Sequence, residues 1–125
     1  MRAVIFSAGT AAALAGASAV LLGAFGAHAL HDVLDARATA LWHTAVEYHF
    51  WHALALAASL SAPPGPARRV ARWAFGLGVV LFSGSLYALA LGAPHGFGAI
   101  TPIGGLAFVA GWVALGLCWR ARPAE

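Results

Sequence analysis

A helix crosses the hydrocarbon core of a bilayer with about 20 consecutive, mainly apolar residues, and that requirement governs nearly the whole of this chain. Windows at residues 3–27, 73–91 and 100–119 meet it, the first weakened near its end by Gly23 and Gly26. A further window at 41–61 is long enough but holds His43, Glu47, His49 and His52 in its first half. The Pro63-Pro64-Gly65-Pro66 cluster stops any helix beyond it. A span starting after His52 would be too short. The second helix therefore begins near Leu41 and carries its polar residues into the membrane.

Composition points the same way. The 125 residues are 62% hydrophobic and 9% charged, against about a quarter charged in soluble domains. A soluble core of this size could not hide so much apolar surface. The expected architecture is all-α: one domain, residues 1–125, forming an integral membrane bundle of four transmembrane helices. Connections at 30–39, 62–72 and 92–99 are short, so sequential helices run antiparallel.

All positive charges are arginines. Arg2, Arg68, Arg69, Arg72, Arg120 and Arg122 fall on the side that holds both termini, and Arg37 alone falls on the other, near Asp32 and Asp35. The positive-inside rule then places the N and C termini in the cytoplasm and the lipid bilayer of a bacterial inner membrane around the helices. The basic balance does not imply nucleic acid, because the arginines flank apolar runs. Arg2, an apolar run and Ala17-Ser18-Ala19 imitate a secretory signal. The apolar character continues to Leu22, so we read the segment as a retained span. Cys118 is the single cysteine, which excludes an internal disulfide.

Small residues recur at helical spacing: Gly9, Gly16 and Gly23 in the first helix, Gly76, Gly84 and Gly92 in the third, Gly104 and Gly111 in the fourth. Such stripes let backbones approach where no hydrophobic effect drives association. They serve packing within the chain or, alternatively, an interface with a second copy.

Polar groups are costly inside a membrane, so their placement is informative. By the helical rise, Glu47 lies roughly 9 Å and His52 roughly 16 Å below the outer surface. His28, His43, Glu47, Tyr48, His52, Ser83, Ser85, Tyr87 and Thr101 all fall in the outer half, which predicts a polar pocket open outward. The inner half is apolar, which argues against a path across the membrane. On the second helix, His43 and Glu47 share one face, Tyr48 and His52 another, and His49 points a third way. His28, His43 and Glu47 are the candidate set for a divalent metal such as Zn²⁺ or Cu²⁺. The alternative is that Glu47 bonds His43 or Tyr87 and fixes helix packing. No other cofactor is expected, since a bis-His haem would need imidazoles on facing helices. Thr101-Pro102 reads as a capped helix start. No nucleophile–base set, phosphate loop or dinucleotide motif is present, so enzyme activity is the least supported class.

Several segments together resemble one known family. They are Gly23-Ala24-Phe25-Gly26-Ala27-His28, Trp42-His43-Thr44, Glu47-Tyr48, His52-Ala53-Leu54, Leu81-Phe82-Ser83-Gly84-Ser85-Leu86-Tyr87, Thr101-Pro102-Ile103-Gly104-Gly105 and Gly111-Trp112. Their order and spacing are similar to domain of unknown function 423, which also covers transmembrane protein 256. The resemblance implies a small four-helix membrane protein and no particular activity. Where relatives often read Tyr-Gln, this chain has Tyr48-His49. Two readings follow: a structural or accessory membrane component, alone, with itself or within a larger complex, and, as the alternative, binding or transport of a proton, metal ion or small polar solute.

Overall fold

In a computed structural model the described residues, 7–120, are helical apart from short connections. Arg2, Arg122, Glu125 and the start of the first apolar window lie outside the described residues. Helix α1 spans Ala8–His28, a run dominated by alanine, the best helix former. Ser7 caps it, its hydroxyl accepting from the Thr10 N–H at 3.1 Å. Helix α2 spans Ala36–Ala58. It starts more than a turn before the apolar window because Asp35 accepts from the Ala38 N–H at 2.8 Å, and a capped first turn tolerates Arg37 and Thr39.

Helix α3 runs Pro66–Ala90 and so begins well ahead of Trp73. Pro66 occupies the first helical position, where its fixed φ suits the helix and its missing N–H costs nothing. Gly65 precedes it at φ 153°, which a residue with a side chain rarely adopts. The connection between α2 and α3 is accordingly short, and Arg68, Arg69 and Arg72 are helical. Within α3, Val79–Ser83 form a π turn. This wider turn separates the buried Gly78 and Ser83 by five positions while keeping both on the inner face. Gly92, with φ 97°, ends the helix as its left-handed C′ residue. Its N–H donates to Leu89 O at 3.1 Å and that of Ala93 to Ala88 O at 2.9 Å, the paired closure of a Schellman motif. A 3₁₀ turn at His95–Ala99 leads into helix α4, Ile100–Arg120.

Sequential helices pack antiparallel. Trp42 meets Leu22 and His49 meets Ser18 along α1 and α2. Ala45 meets Ser83 and Ser59 meets Arg72 along α2 and α3. Both described ends therefore lie at one end of the bundle, where Ala12, Leu56, Ala71 and Cys118 share one core cluster. We call this the terminal end and the opposite one the hairpin end.

The closest interface joins α3 to α4, and three phenylalanine–glycine pairs make it. A Cβ on Gly111 would lie 2.7 Å from the Phe75 ring. One on Gly78 would strike the Phe108 ring, and one on Gly104 would lie 2.7 Å from Phe82 Cα. Phenylalanines and glycines thus alternate between the two helices. Between α1 and α2, Gly26 sits directly under the Trp42 ring and Gly23 faces Val46. Gly16, Gly76 and Gly84 have nothing within 4 Å of such a Cβ, and Gly9 meets only Ser7, so these members of the stripes pack against no neighbouring helix.

The exterior is apolar. Leu14, Leu21, Val80, Leu106 and Val113 are all more than half exposed, a surface that water would not tolerate and lipid does. α1, α3 and the 3₁₀-plus-α4 segment are each long and apolar enough to cross a membrane. At about 1.5 Å per residue, the 21 residues of α1 span roughly the thickness of the hydrocarbon core.

These contacts make opposite predictions for two glycines. Gly104→Ala presses a methyl group against the α3 backbone, which cannot give way cheaply. It should cost about 1–3 kcal/mol and visibly lower the melting temperature in detergent. Gly16→Leu enters open space and should leave the melting temperature within about a degree of the parent. Thermal unfolding followed by circular dichroism separates the two.

Candidate functional site

The buried face of α2 is drawn by Trp42, Ala45, His49, His52 and Leu56, a series stepping by three and four that keeps to one side of a helix. Two of these five are histidines. The physical question is where their ring nitrogens find partners, since a buried polar group without one costs about 1–3 kcal/mol.

His49 reaches two helices at once. Its Nε2 lies 3.1 Å from Ser18 Oγ on α1 and its Nδ1 3.0 Å from Tyr87 OH on α3. Ser18 donates its only hydroxyl proton to Ala15 O at 3.1 Å, so toward His49 it can only accept. For a neutral ring that places the proton on Nε2 and leaves Nδ1 to accept from the Tyr87 hydroxyl. The result is a hydrogen-bonded chain from Tyr87 through His49 and Ser18 to the Ala15 carbonyl.

His52 carries the opposite tautomer. Trp112 on α4 donates from Nε1 to His52 Nε2 at 3.1 Å. Indole can only donate, so the His52 proton resides on Nδ1 and goes to Tyr48 O at 2.6 Å. The ring also lies flat on Phe108, with centroids 3.5 Å apart and planes inclined by 10°. Tyr48 completes the aromatic cluster against Phe82, at 4.5 Å between centroids.

Further ties complete the set. Trp42 Nε1 donates to Leu22 O at 3.0 Å, which fastens α1. Ser83 donates to Ala45 O at 2.7 Å, fastening α3. Ser85 and Thr101 share a hydrogen bond of 2.6 Å between α3 and α4. Thr101 thus spends its hydroxyl across the interface, on a helix whose first turn is already entered from a 3₁₀ turn. Among the described residues, every buried side-chain nitrogen or oxygen has a partner.

Of the residues that the sequence groups into one outer pocket, the structure brings Tyr48 and His52 together through a main-chain carbonyl, Ser85 to Thr101, and Ser83 to Ala45. It pairs Tyr87 with His49, a residue the pocket did not include. His43 and Glu47 lie on the exposed face of α2, and His28 is exposed at the end of α1. Neither His43 nor Glu47 makes a hydrogen bond or ion pair among the described residues. His28, His43 and Glu47 are not gathered into a ligand set, and no group of three His, Cys, Asp or Glu that could hold a metal occurs among the described residues. At the hairpin end a cavity of about 210 Å³ is lined by Asp35, Arg37 and His95 among others, and by none of the expected pocket residues. The signal for His49 and His52 was present in the stepping series of α2. It is hidden because histidine counts as polar in a search for apolar faces.

Two substitutions probe these ties. Trp112→Phe keeps the ring and removes the donor to His52, and His49→Phe unlinks both Ser18 and Tyr87. With interhelical hydrogen bonds in membranes averaging about 0.6 kcal/mol, each should cost about 0.5–2 kcal/mol in a reversible unfolding titration in mixed micelles. Glu47→Gln, which breaks no tie, should match the parent. Equal stability of all three variants would remove the histidines from the account of the bundle.

Comparison with known proteins agrees with the helical, apolar character of the chain. The family described as protein of unknown function (DUF423) matches residues 22–105. The UPF0382 membrane protein YwdK of Bacillus subtilis strain 168 is 45% identical over 101 residues, covering 78% of this chain and 82% of that protein. A UPF0382 membrane protein of Haemophilus influenzae is 44% identical over 108 residues, covering 85% and 87%. The UPF0382 inner membrane protein YgdD of Escherichia coli K12 is 40% identical over 110 residues, covering 83% and 82%. No solved structure matches the chain. A family profile that spans most of the sequence, together with relatives aligned over most of their own length, shows that this integral membrane protein belongs to the DUF423 family.

Proposed function

We propose that the protein is a four-span bundle of the bacterial inner membrane, both ends cytoplasmic, serving as a structural or accessory membrane component rather than a carrier. The observation that carries this reading is the complete internal use of the buried polar groups of α2. A conduction path needs donors and acceptors left over for its cargo, and the buried His49 and His52 have none. The hydrogen-bonded chain through His49 ends on the carbonyl of Ala15, which accepts and cannot pass a proton on.

Four crossings, rather than three, are supported by geometry. α2 lies lengthwise and antiparallel between α1 and α3, and three crossings would part the two ends of the chain. The 23 residues of α2 suffice for a span. The cytoplasmic assignment of the ends is supported by charge. Arg68, Arg69, Arg72 and Arg120 gather at the terminal end, and Arg37 alone among the described arginines is at the hairpin end.

A reporter fused after Glu125 tests the orientation. A cytoplasm-dependent reporter should be active there and a periplasm-dependent one silent, and the reverse result overturns the topology. For the activity, proteoliposomes holding the purified chain should pass protons and divalent cations no faster than empty ones. A proton flux lost in His49→Phe would replace the structural reading with transport.

A further inference from the structure

At the terminal end a cavity of about 620 Å³ is lined by residues of both α1 and α3. Its floor is apolar, formed by Ala11 of α1, Leu56 of α2 and Gly76 of α3. Its rim carries Arg68, Arg69 and Arg72. Trp73 borders it, 68% exposed, at the level where tryptophan settles between acyl chains and headgroups.

Three features give this rim a positive potential that nothing in the described chain neutralises. First, the three guanidiniums form no ion pair among the described residues. The one ion pair there joins His31 to Asp32 at the hairpin end. Second, two of the three are pre-oriented by neutral partners. Arg68 donates to Ala62 O at 3.1 Å, and Arg72 donates to Ser59 Oγ and O at 3.3 Å each. Each guanidinium has five N–H donors, so both retain donors for an anion. Third, α1 and α3 both begin here, with Ser7 and Gly65 on the cavity wall, and helix N-termini add partial positive charge of the same sign.

We propose that this groove binds an anionic phospholipid. The phosphate sits among Arg68, Arg69 and Arg72, and one acyl chain lies along the floor between α1 and α3. Charge complementarity selects the headgroup, and the apolar floor distinguishes a lipid from a free anion. A basic pocket between transmembrane helices is the form such sites take. The assignment does not depend on the orientation of the bundle or on its role, because it concerns only which groups line one cavity.

The test uses the purified full chain in neutral detergent, titrated separately with phosphatidylglycerol, phosphatidylcholine and inorganic phosphate. Melting temperature and native mass spectrometry are the readouts. Phosphatidylglycerol should raise the melting temperature and remain bound, whereas phosphatidylcholine and inorganic phosphate should do neither. The triple variant Arg68→Gln/Arg69→Gln/Arg72→Gln should bind phosphatidylglycerol at least about tenfold more weakly. Arg120→Gln, at the same end but outside the groove, should bind it as the parent does. Gly76→Leu projects into the groove without altering charge, since a Cβ there meets nothing within 4 Å, and should weaken binding comparably. Should the triple variant fail to fold, Gly76→Leu decides by the same readouts. Unchanged binding in either groove variant, equal binding of the two lipids, or an equal loss in Arg120→Gln overturns the site. A full response to inorganic phosphate overturns its assignment to lipid.

Discussion

A helix with imidazoles at two of its buried positions can enter a bilayer only if other helices supply what water would have supplied. His49 and His52 impose that condition on α2, and the arrangement of the bundle satisfies it. α1 brings Ser18, α3 brings Tyr87 and α4 brings Trp112. Removing any one neighbour would leave a ring nitrogen facing hydrocarbon, so the central position of α2 follows from its sequence. The two rings stand three residues apart, carry opposite tautomers and use every nitrogen. This arrangement also explains how so polar a helix lies among three that are apolar enough to cross on composition alone.

Close packing of α3 against α4 solves a different problem. Lipid is as apolar as the residues that face it, so helices associate through contact and not through escape from water. Phe75, Phe82 and Phe108 seat on Gly111, Gly104 and Gly78 in alternation. The π turn at Val79–Ser83 keeps this alternation in register with the ties to α2. It holds Phe82 on Gly104 while Ser83, the next residue, turns to the Ala45 carbonyl. A regular helix advances about 100° per residue and would drift away from one of the two partners.

The apolar windows, their antiparallel order and the membrane setting were legible in the sequence because length and hydropathy dictate them. The starts of α2 and α3 were not, because Asp35 and Gly65-Pro66 begin helices inside stretches too polar to read as spans. The glycine stripes were legible as spacing but not as direction. Gly104 meets the α3 backbone and Gly111 a ring while Gly16, Gly76 and Gly84 meet nothing, and the periodicity is the same in both cases. For the polar groups, spacing separated His43 and Glu47 from His52 correctly as faces of one helix. It could not say which face turns inward, and that choice depends on Ser18, Tyr87 and Trp112, which lie on other helices far away in sequence.

The bond between Trp112 and His52 has a consequence for how such a chain is made. Synthesis proceeds from the N-terminus, so α1 and α2 leave the ribosome long before α4. Until the fourth helix arrives, His52 Nε2 has no donor within the chain, and the Phe108 ring that covers the imidazole is missing. As one of four spans, the second helix would wait beside water or the insertion machinery, or pass into lipid with one nitrogen bare, until the last helix arrives. On the four-span reading the hydrogen bonding of α2 is completed only by the last helix, so the bundle closes as a unit rather than one span at a time.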